Sequence, residues 1–542
     1  MKNAVKLAIF TVLICHLTGA SALAQWPITP DQRLWLGYGT ETKCVSDGNG
    51  GIFTIFTANS GLDQSNCYLQ KTDQLGYRIL EYPLHLESGI GLEVIDFEAI
   101  TDDQGGIIVG LLERCGTDPE WSWRLSLYHL DSNAEIVYWN KTINNGGQVA
   151  GQDYFVMTSD HQGGCYVACM STNFVVQRIN FEGNKLWGDE GLELSVGSAY
   201  PAPYDLTVGS DSDNCYLTVR GSALYAFKFS SDGSSVWPDY GIEITDLGED
   251  TELVPDDEGG FVEICRTPNQ NELLVYRVDE NGNCVWNQGV SLGSIYWDKS
   301  ILCHYPYIYV NWLSGSSIHQ AQLQKFDLDG NILWAENKNL FVGSELQDDP
   351  QITEADDGGL IFICKRHNGI NFDIFGQKLD YDGNYLWNPS GVALTTRGLY
   401  TSSLCLKSTG SGGGVFNWYE IDPDSSQMVC VAMVNQNGVL GEVLGVDPWQ
   451  ETPIYPKMLK LDVYPNPANP DFTISCQIQK PGNISLQIFN SLGQLVLMNE
   501  YFKNPGTYQW QPILSAGLAS GNYLIVLRTA DAQSTKRVSI IK

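Results

Sequence analysis

Two turn motifs alternate along residues 40 to 446, each returning about every 50 residues. A chain with that period buries its apolar faces by stacking each unit on the next. The first motif reads Asp-x-x-Gly-x-x-x-Trp and runs from Asp279 to Trp286, Asp327 to Trp334 and Asp380 to Trp387. Asn180 to Trp187 and Ser230 to Trp237 repeat it with the first residue changed. Its glycines at 183, 233, 282, 330 and 383 are spaced by 50, 49, 48 and 53. Weaker copies stand at Gly76 and Gly438 without the Trp, and at Asn133, where Trp139 is displaced.

The second motif is Asp-x-x-Gly-Gly, at Asp47, Asp102, Asp160 and Asp256, with a shortened copy at Asp356 and degenerate forms near Asp211, Pro306 and Gly412. Asp supplies side-chain-to-backbone hydrogen bonds and Gly supplies positive φ, so both motifs predict tight hairpins. Each unit then reads as four antiparallel strands in about 50 residues, with the fourth strand ending near the Trp. The predicted fold is all-β: an eight-bladed β-propeller over residues 25–447, with seven blades as the alternative. Its blades are similar in architecture to those of quinoproteins, where a Trp after an Asp/Gly turn docks on the neighbouring blade. That likeness assigns Trp187, Trp237, Trp286, Trp334 and Trp387 to blade docking. The Arg33 to Gly37 segment looks like a fourth strand without its turn, and is expected to pair with the last unit and close the ring.

Both ends of the chain speak of export. Lys2 and Lys6 precede an apolar run from Leu7 to Cys15, and Ala22-Leu23-Ala24 forms an A-x-A site ahead of Gln25. This predicts a signal peptide over 1–24, cleaved between Ala24 and Gln25. No later run approaches the ~18 apolar residues of a membrane span. At the other end stand Tyr464-Pro465-Asn466-Pro467, alternating strands, Phe489 to Val496 through Gly493, then Gly521 and Tyr523, and a basic close containing Lys536 and Lys542. The pattern resembles the type A C-terminal sorting domain of the type IX (Por) secretion system. Its strands and turns predict a small Ig-like β-sandwich over 461–542, after a linker at 448–460. The resemblance implies recognition of the tail by the type IX machinery, and a body secreted by, or held on the outer surface of, a Gram-negative-type bacterium.

Charge separates the two parts. Residues 25–456 hold 21 basic and 59 acidic residues, whereas 457–542 hold eight and four. So acidic a body repels nucleic acid and anionic lipid, and neither is an expected partner. Of the 14 cysteines, one lies in the signal, and the remaining 13 include no C-x-x-C pair. Cys169, Cys265 and Cys364 occupy the same place in successive repeats, which predicts small core residues.

No compact catalytic motif is present. The chain lacks the vicinal cysteines of quinone-dependent alcohol dehydrogenases, and its turns place Gly and Trp four apart, not three as in the Asp boxes of sialidases. Asp327 to Asn331 and Asp380 to Asn384 space carboxylates as calcium loops do, but neither reaches the Glu that an EF-hand requires. Hairpin turns account for them, so no cofactor is expected and calcium is the one metal considered. His85, His129, His161, His304, His319 and His367 are isolated. The irregular loop Cys115 to Trp123 carries Trp121 and Trp123 beside acids, and these are the candidate contacts for a glycan or protein ligand. The leading expectation is a non-catalytic binding or scaffold module with an unidentified extracellular ligand. A polysaccharide- or protein-directed hydrolase or lyase is the alternative.

Overall fold

The computed structural model describes residues 26–441 and 460–541, apart from 60–64, 87–91, 116–121, 146–153, 171–173, 195–204, 247, 269–270, 287–288, 297, 316–317, 423–424, 470, 479–481, 491–494, 504–505, 511–519 and 529–532. The predicted signal peptide, its Ala24–Gln25 junction and the 448–459 stretch lie outside the described residues. The chain forms two compact units, Met1–Leu444 and Gly445–Lys542. Described residues fall in strands, turns and connections, with no helix among them.

Among the described residues, the first unit forms eight four-stranded antiparallel sheets. The innermost strands are Thr40–Ser46, Leu92–Thr101, Tyr154–Ser159, Asp205–Ser210, Glu249–Pro255, Lys299–His304, Gln347–Ala355 and Tyr400–Ser408. Each touches the next, and the eighth touches the first, so the sheets form a closed, propeller-like cycle. The second motif makes the hairpin after the innermost strand. Asp256 is buried, and its Oδ1 accepts hydrogen bonds from the Glu258 N–H (2.9 Å) and the Gly260 N–H (2.8 Å). Gly259 sits between them at φ 83°, a conformation that costs a residue with a Cβ ~1 kcal/mol or more.

The first motif makes the hairpin after the third strand and clamps adjacent sheets. Trp187, Trp237, Trp286 and Trp387 are buried, and each donates its indole N–H to a carbonyl in the next sheet's turn: Ser231 (3.2 Å), Glu280 (3.1 Å), Leu328 (3.2 Å) and Gln436 (2.8 Å). The turn glycine lies over the ring; a Cβ on Gly233 would come within 2.9 Å of Trp187. Trp334 takes the same position against Gly383 but is only half-buried. The fourth strand does not end at the Trp as expected. After Trp237 the chain turns again, with the Gly241 N–H on the Pro238 carbonyl (2.8 Å), and only then forms the outer strand Ile242–Thr245. The indole is occupied between sheets, so the strand must restart beyond it.

A lysine or arginine two residues before the turn completes the clamp in six sheets, and a histidine takes that place in a seventh. Arg178 bonds Asp160 (2.9 Å) in its own sheet and the Ser231 carbonyl (2.8 Å) in the next, where the Trp187 indole also docks. Arg277 joins Asp256 (2.8 Å) to the Leu328 carbonyl (2.8 Å) in the same way. Lys71, Lys228, Lys325 and Lys378 each reach a carbonyl of the following sheet, and His129 fills this place between Asp102 (3.0 Å) and the Phe181 carbonyl (3.1 Å). Burying a charge costs free energy unless it is paired and hydrogen-bonded; Lys71, Arg178, Arg277 and Lys378 each pair with a carboxylate of their own sheet, whereas Lys228 and Lys325 lie over the rings of Tyr216 and Tyr307.

The ring closes through its N-terminal segment. Strand Leu34–Tyr38 pairs with Gln427–Val434 as the outer strand of the eighth sheet, with Leu34 opposite Val431 and Trp35 opposite Cys430. Leu34 and Leu36 are buried, but Trp35 is 40% exposed. The docking indole is Trp26, which is 3% exposed and donates to the Gln74 carbonyl (2.8 Å) in the first sheet's turn. A disulfide joins Cys44 to Cys405 between the innermost strands of the first and eighth sheets. Cys169, Cys265 and Cys364 are buried, as their repeat position predicts.

In the second unit, Leu495–Lys503, Gly482–Asn490, Gly521–Arg528 and Gln533–Ile540 pair antiparallel in that order, and Asp471–Ile478 lies between Lys460–Asn469 and Gly506–Trp510. Strand Lys460–Asn469 changes partner midway. Its start pairs with Asp471–Ile478, the ladder breaks after Tyr464, and Ala468 pairs in parallel with Ile540. Pro465 and Pro467 lack the N–H a ladder needs, which accounts for the break.

Candidate functional site

Antiparallel order fixes two sides of each sheet. The repeated hairpins lie at one end, and the irregular second-to-third-strand and sheet-to-sheet connections lie at the other. On that second side, the fifth to seventh sheets gather ionisable groups at the starts of their innermost strands. Lys299 Nζ meets Asp250 (2.8 Å), Lys365 Nζ meets Asp348 (2.9 Å) and Asp349 (3.8 Å), and the Asp349 N–H donates to Asp298 Oδ2 (3.1 Å). Arg266 Nη2 meets Glu249 (2.9 Å), while its Nη1 donates to Asn271 (3.0 Å). Bulges make this crowding possible: ladders shift between Glu249 and Glu252 and between Asp348 and Gln351, with Asp250 and Asp349 both at φ 52°.

The electrostatics are those of carboxylates crowded and partly stripped of water. Burial pushes the Glu252 carboxyl up to about 7, against the opposing pull of Lys299 and of the Ile301 N–H. Burial, then the charges of Asp349 and Asp348, raise Asp298 to about 6. Asp349 is raised by burial too, although Lys365 opposes it. Burial works to lower Lys365, but Asp349 and Asp348 outweigh it and hold the ammonium above its usual range. Such shifts mark groups that exchange protons or meet ligands near neutral pH, provided geometry concurs. Next to this cluster, Tyr296 lies with its ring against His319.

The hairpin side holds a different constellation. His161 Nδ1 meets Asp103 Oδ2 (2.8 Å), and its Nε2 lies 3.3 Å from both the carbonyl and the hydroxyl of Ser210. The spacing resembles a nucleophilic triad, but Ser210 donates its hydroxyl to the Ser159 carbonyl (2.5 Å). Ser46 in the first sheet likewise donates to the Ser408 carbonyl (3.3 Å), so hydroxyls at this position tie neighbouring sheets together.

Trp121 lies outside the described residues. Trp123 is on strand Ser122–Leu130, opposite Arg114, and packs half-buried against the core formed by the second and third sheets. The calcium-like carboxylates are engaged by their own turns: Asp327 accepts from the Asp329 and Asn331 N–H groups (3.1 and 2.9 Å), and Asp380 does the same with Asp382 and Asn384 (3.0 and 2.8 Å). Among the described residues, no group of three His, Cys, Asp or Glu is placed to hold a metal ion, and no helix is long and apolar enough to cross a membrane. In the tail, Tyr523 is buried in the core and Gly521 and Lys536 are exposed. Asn466 accepts from the Ser539 N–H (2.9 Å) and donates to the Arg537 carbonyl (2.8 Å). Gly493 and Lys542 lie outside the described residues.

Residues 462–542 match the family described as the secretion system C-terminal sorting domain, Por_Secre_tail. No curated protein sequence matches the chain. Among solved structures, a lectin from Burkholderia pseudomallei is 13% identical, with 66% of this chain and 100% of that chain covered and a TM-score of 0.44. A puromycin hydrolase mutant is 10% identical, with coverages of 76% and 61% and a TM-score of 0.38. A protein of unknown function from Dyadobacter fermentans is 9% identical, with coverages of 76% and 98% and a TM-score of 0.35.

Proposed function

From a chain whose residues 462–542 are a sorting domain of the type IX secretion system, carried to the cell surface or the extracellular space, we propose a body that works there as a non-catalytic binding module. In this reading, residues 25–447 are an eight-bladed β-propeller, 448–460 a linker and 461–542 an Ig-like sandwich that engages the export machinery. The observation that carries it is the contrast between the two sides of the ring. Turns, indoles and cations of the hairpin side are committed to clamping sheets, whereas the Asp298, Asp349 and Lys365 cluster departs from the repeat and keeps raised carboxyl pKa values at the irregular side. Ligand sites are concentrated in irregular loops held by a rigid scaffold.

One observation favours a second reading, a hydrolase or lyase. Glu252, lifted to about 7 beside Lys299, has the proton affinity of a general acid or base. Glycan and peptide arrays probed with the mature body, wild type and Asp298→Asn/Lys365→Met, separate the two. Binding lost in the double variant supports the binding module, turnover of an arrayed compound that Glu252→Gln abolishes supports the enzyme, and identical binding by both proteins removes this side from consideration.

A further inference from the structure

Tyr296 is 40% exposed, yet its ring is held in a parallel stack on His319 with centroids 3.5 Å apart and planes 16° from parallel. His319 is itself 7% exposed, and its Nδ1 is hydrogen-bonded to the Gly315 carbonyl (3.2 Å), which fixes the imidazole under the phenol ring. The backbone is equally constrained: the Tyr296 N–H donates to the Leu313 carbonyl (2.8 Å), the Leu313 N–H to the Asp298 carbonyl (3.0 Å), and the Ile295 N–H to the Asn271 carbonyl (2.7 Å). Among the described residues, other exposed aromatics are held less closely. Trp35 and Tyr38 meet edge-on, and Tyr400 meets Tyr419 tilted, with centroids 6.2 Å apart. A surface aromatic normally loses rotamer freedom on binding; one already immobilised binds at lower entropic cost.

Resting on the reading of this side as the ligand face, we infer that Tyr296 is a stacking platform for a neutral pyranose ring of an extracellular glycan. A pyranose presents a face of C–H groups, which suits the negative face of a phenol ring, and a rim of hydroxyls, which suits carboxylates able to accept two hydrogen bonds each. The Asp298 carboxylate follows two residues after the platform, and Asn271 and Arg266 supply an amide and a guanidinium alongside. With 59 acidic against 21 basic residues in the body, acidic sugars are repelled, which leaves neutral or amino sugars. Unlike a cationic peptide drawn by the same carboxylates, a neutral ring is bound without strong salt dependence.

The test uses the mature two-domain chain with methyl glycosides and oligosaccharides of glucose, mannose, galactose and N-acetylglucosamine, read by saturation-transfer NMR and calorimetric titration. Saturation should transfer to ring C–H protons of at least one of these, with little change in affinity between about 0.05 and 0.5 M salt. Tyr296→Ala should weaken that binding about tenfold, while Tyr296→Phe stays within about twofold, since the ring face and not the hydroxyl carries the contact. Absence of binding across the panel, or equal binding by Tyr296→Ala, overturns the inference. Loss of glycan binding in Asp298→Asn alone would overturn the platform while leaving the ligand face in place. Salt-sensitive binding of cationic peptides without glycan binding would overturn the sugar class.

Discussion

The sharpest check on the ring is a pair of tryptophans nine residues apart with opposite fates. Trp26→Ala removes an indole that is 3% exposed, packs with Leu34, Leu36 and Phe56, and bonds the Gln74 carbonyl. Truncating a buried Trp costs about 3–5 kcal/mol. Unfolding entropy is about 2.1 cal/mol/K per residue, so a body of roughly 400 residues has about 0.85 kcal/mol/K, and Trp26→Ala should lower Tm by about 4–6 °C. Trp35→Ala removes a ring that is 40% exposed and bonds the Gly37 carbonyl just two residues on. Surface changes of this kind stay near ~0.5 kcal/mol, a shift of about 1 °C or less. Calorimetric melts of both variants, with Trp286→Ala as an internal docking control of the same size as Trp26→Ala, decide the matter. Trp26→Ala melting with the wild type, or Trp35→Ala falling as far as Trp26→Ala, would refute the reasoning that Trp26 is the eighth docking indole.

Two further outcomes follow from particular groups. The Cys44–Cys405 bridge closes a sequence separation of 361 residues, for which loop-closure entropy amounts to about 6 kcal/mol; reductant should lower the wild-type melt by several degrees and leave Cys405→Ser unchanged, and a reductant-insensitive wild type would count against the bridge. Glu252 has a folded pKa of about 7, above its usual 4.5, so its ionisation destabilises the fold progressively as pH rises from 4.5 through 7. Glu252→Gln should therefore match the wild type near pH 4 and exceed it by ~1 kcal/mol or more near pH 8; equal stability at both pH values would show that the carboxyl is not desolvated.

What the sequence disclosed depended on whether a residue acts within its own repeat. Trp286 and Gly282 lie in one motif, so spacing exposed both the turn and the docking indole. Trp26 docks on the turn of Asp73 to Gly76, and the sheet it belongs to is completed by residues 400–434, so no local window contains its context. Trp35 sits within its strand, whereas in the third to seventh sheets the indole precedes the outer strand. The cations were legible in principle: Arg178, Lys228, Arg277, Lys325 and Lys378 all stand two residues before a turn, but a Lys or Arg on a strand reads first as a solvated face. Neither the Asp298 and Lys365 cluster nor the Tyr296 stack follows the repeat: the first joins two sheets, and the second pairs the connection into the sixth sheet with an irregular loop of that sheet.

The clamp also bears on the proposal that ligand recognition falls to the irregular side. Ser231 and Leu328 each offer one carbonyl that accepts both an indole N–H and a guanidinium N–H from the preceding sheet. A carbonyl has two lone pairs, so these acceptors are saturated, and the guanidiniums on them are paired in turn with Asp160 and Asp256. Any change in that chain leaves a buried charge or polar group without its partner, at about 3–5 kcal/mol for a broken buried pair. Repeated around the ring, this makes the hairpin side intolerant of variation. On the other side the fifth to seventh sheets depart from the repeat through their bulged innermost strands, so a single lobe there can acquire carboxylates, lysines and a braced tyrosine without disturbing closure.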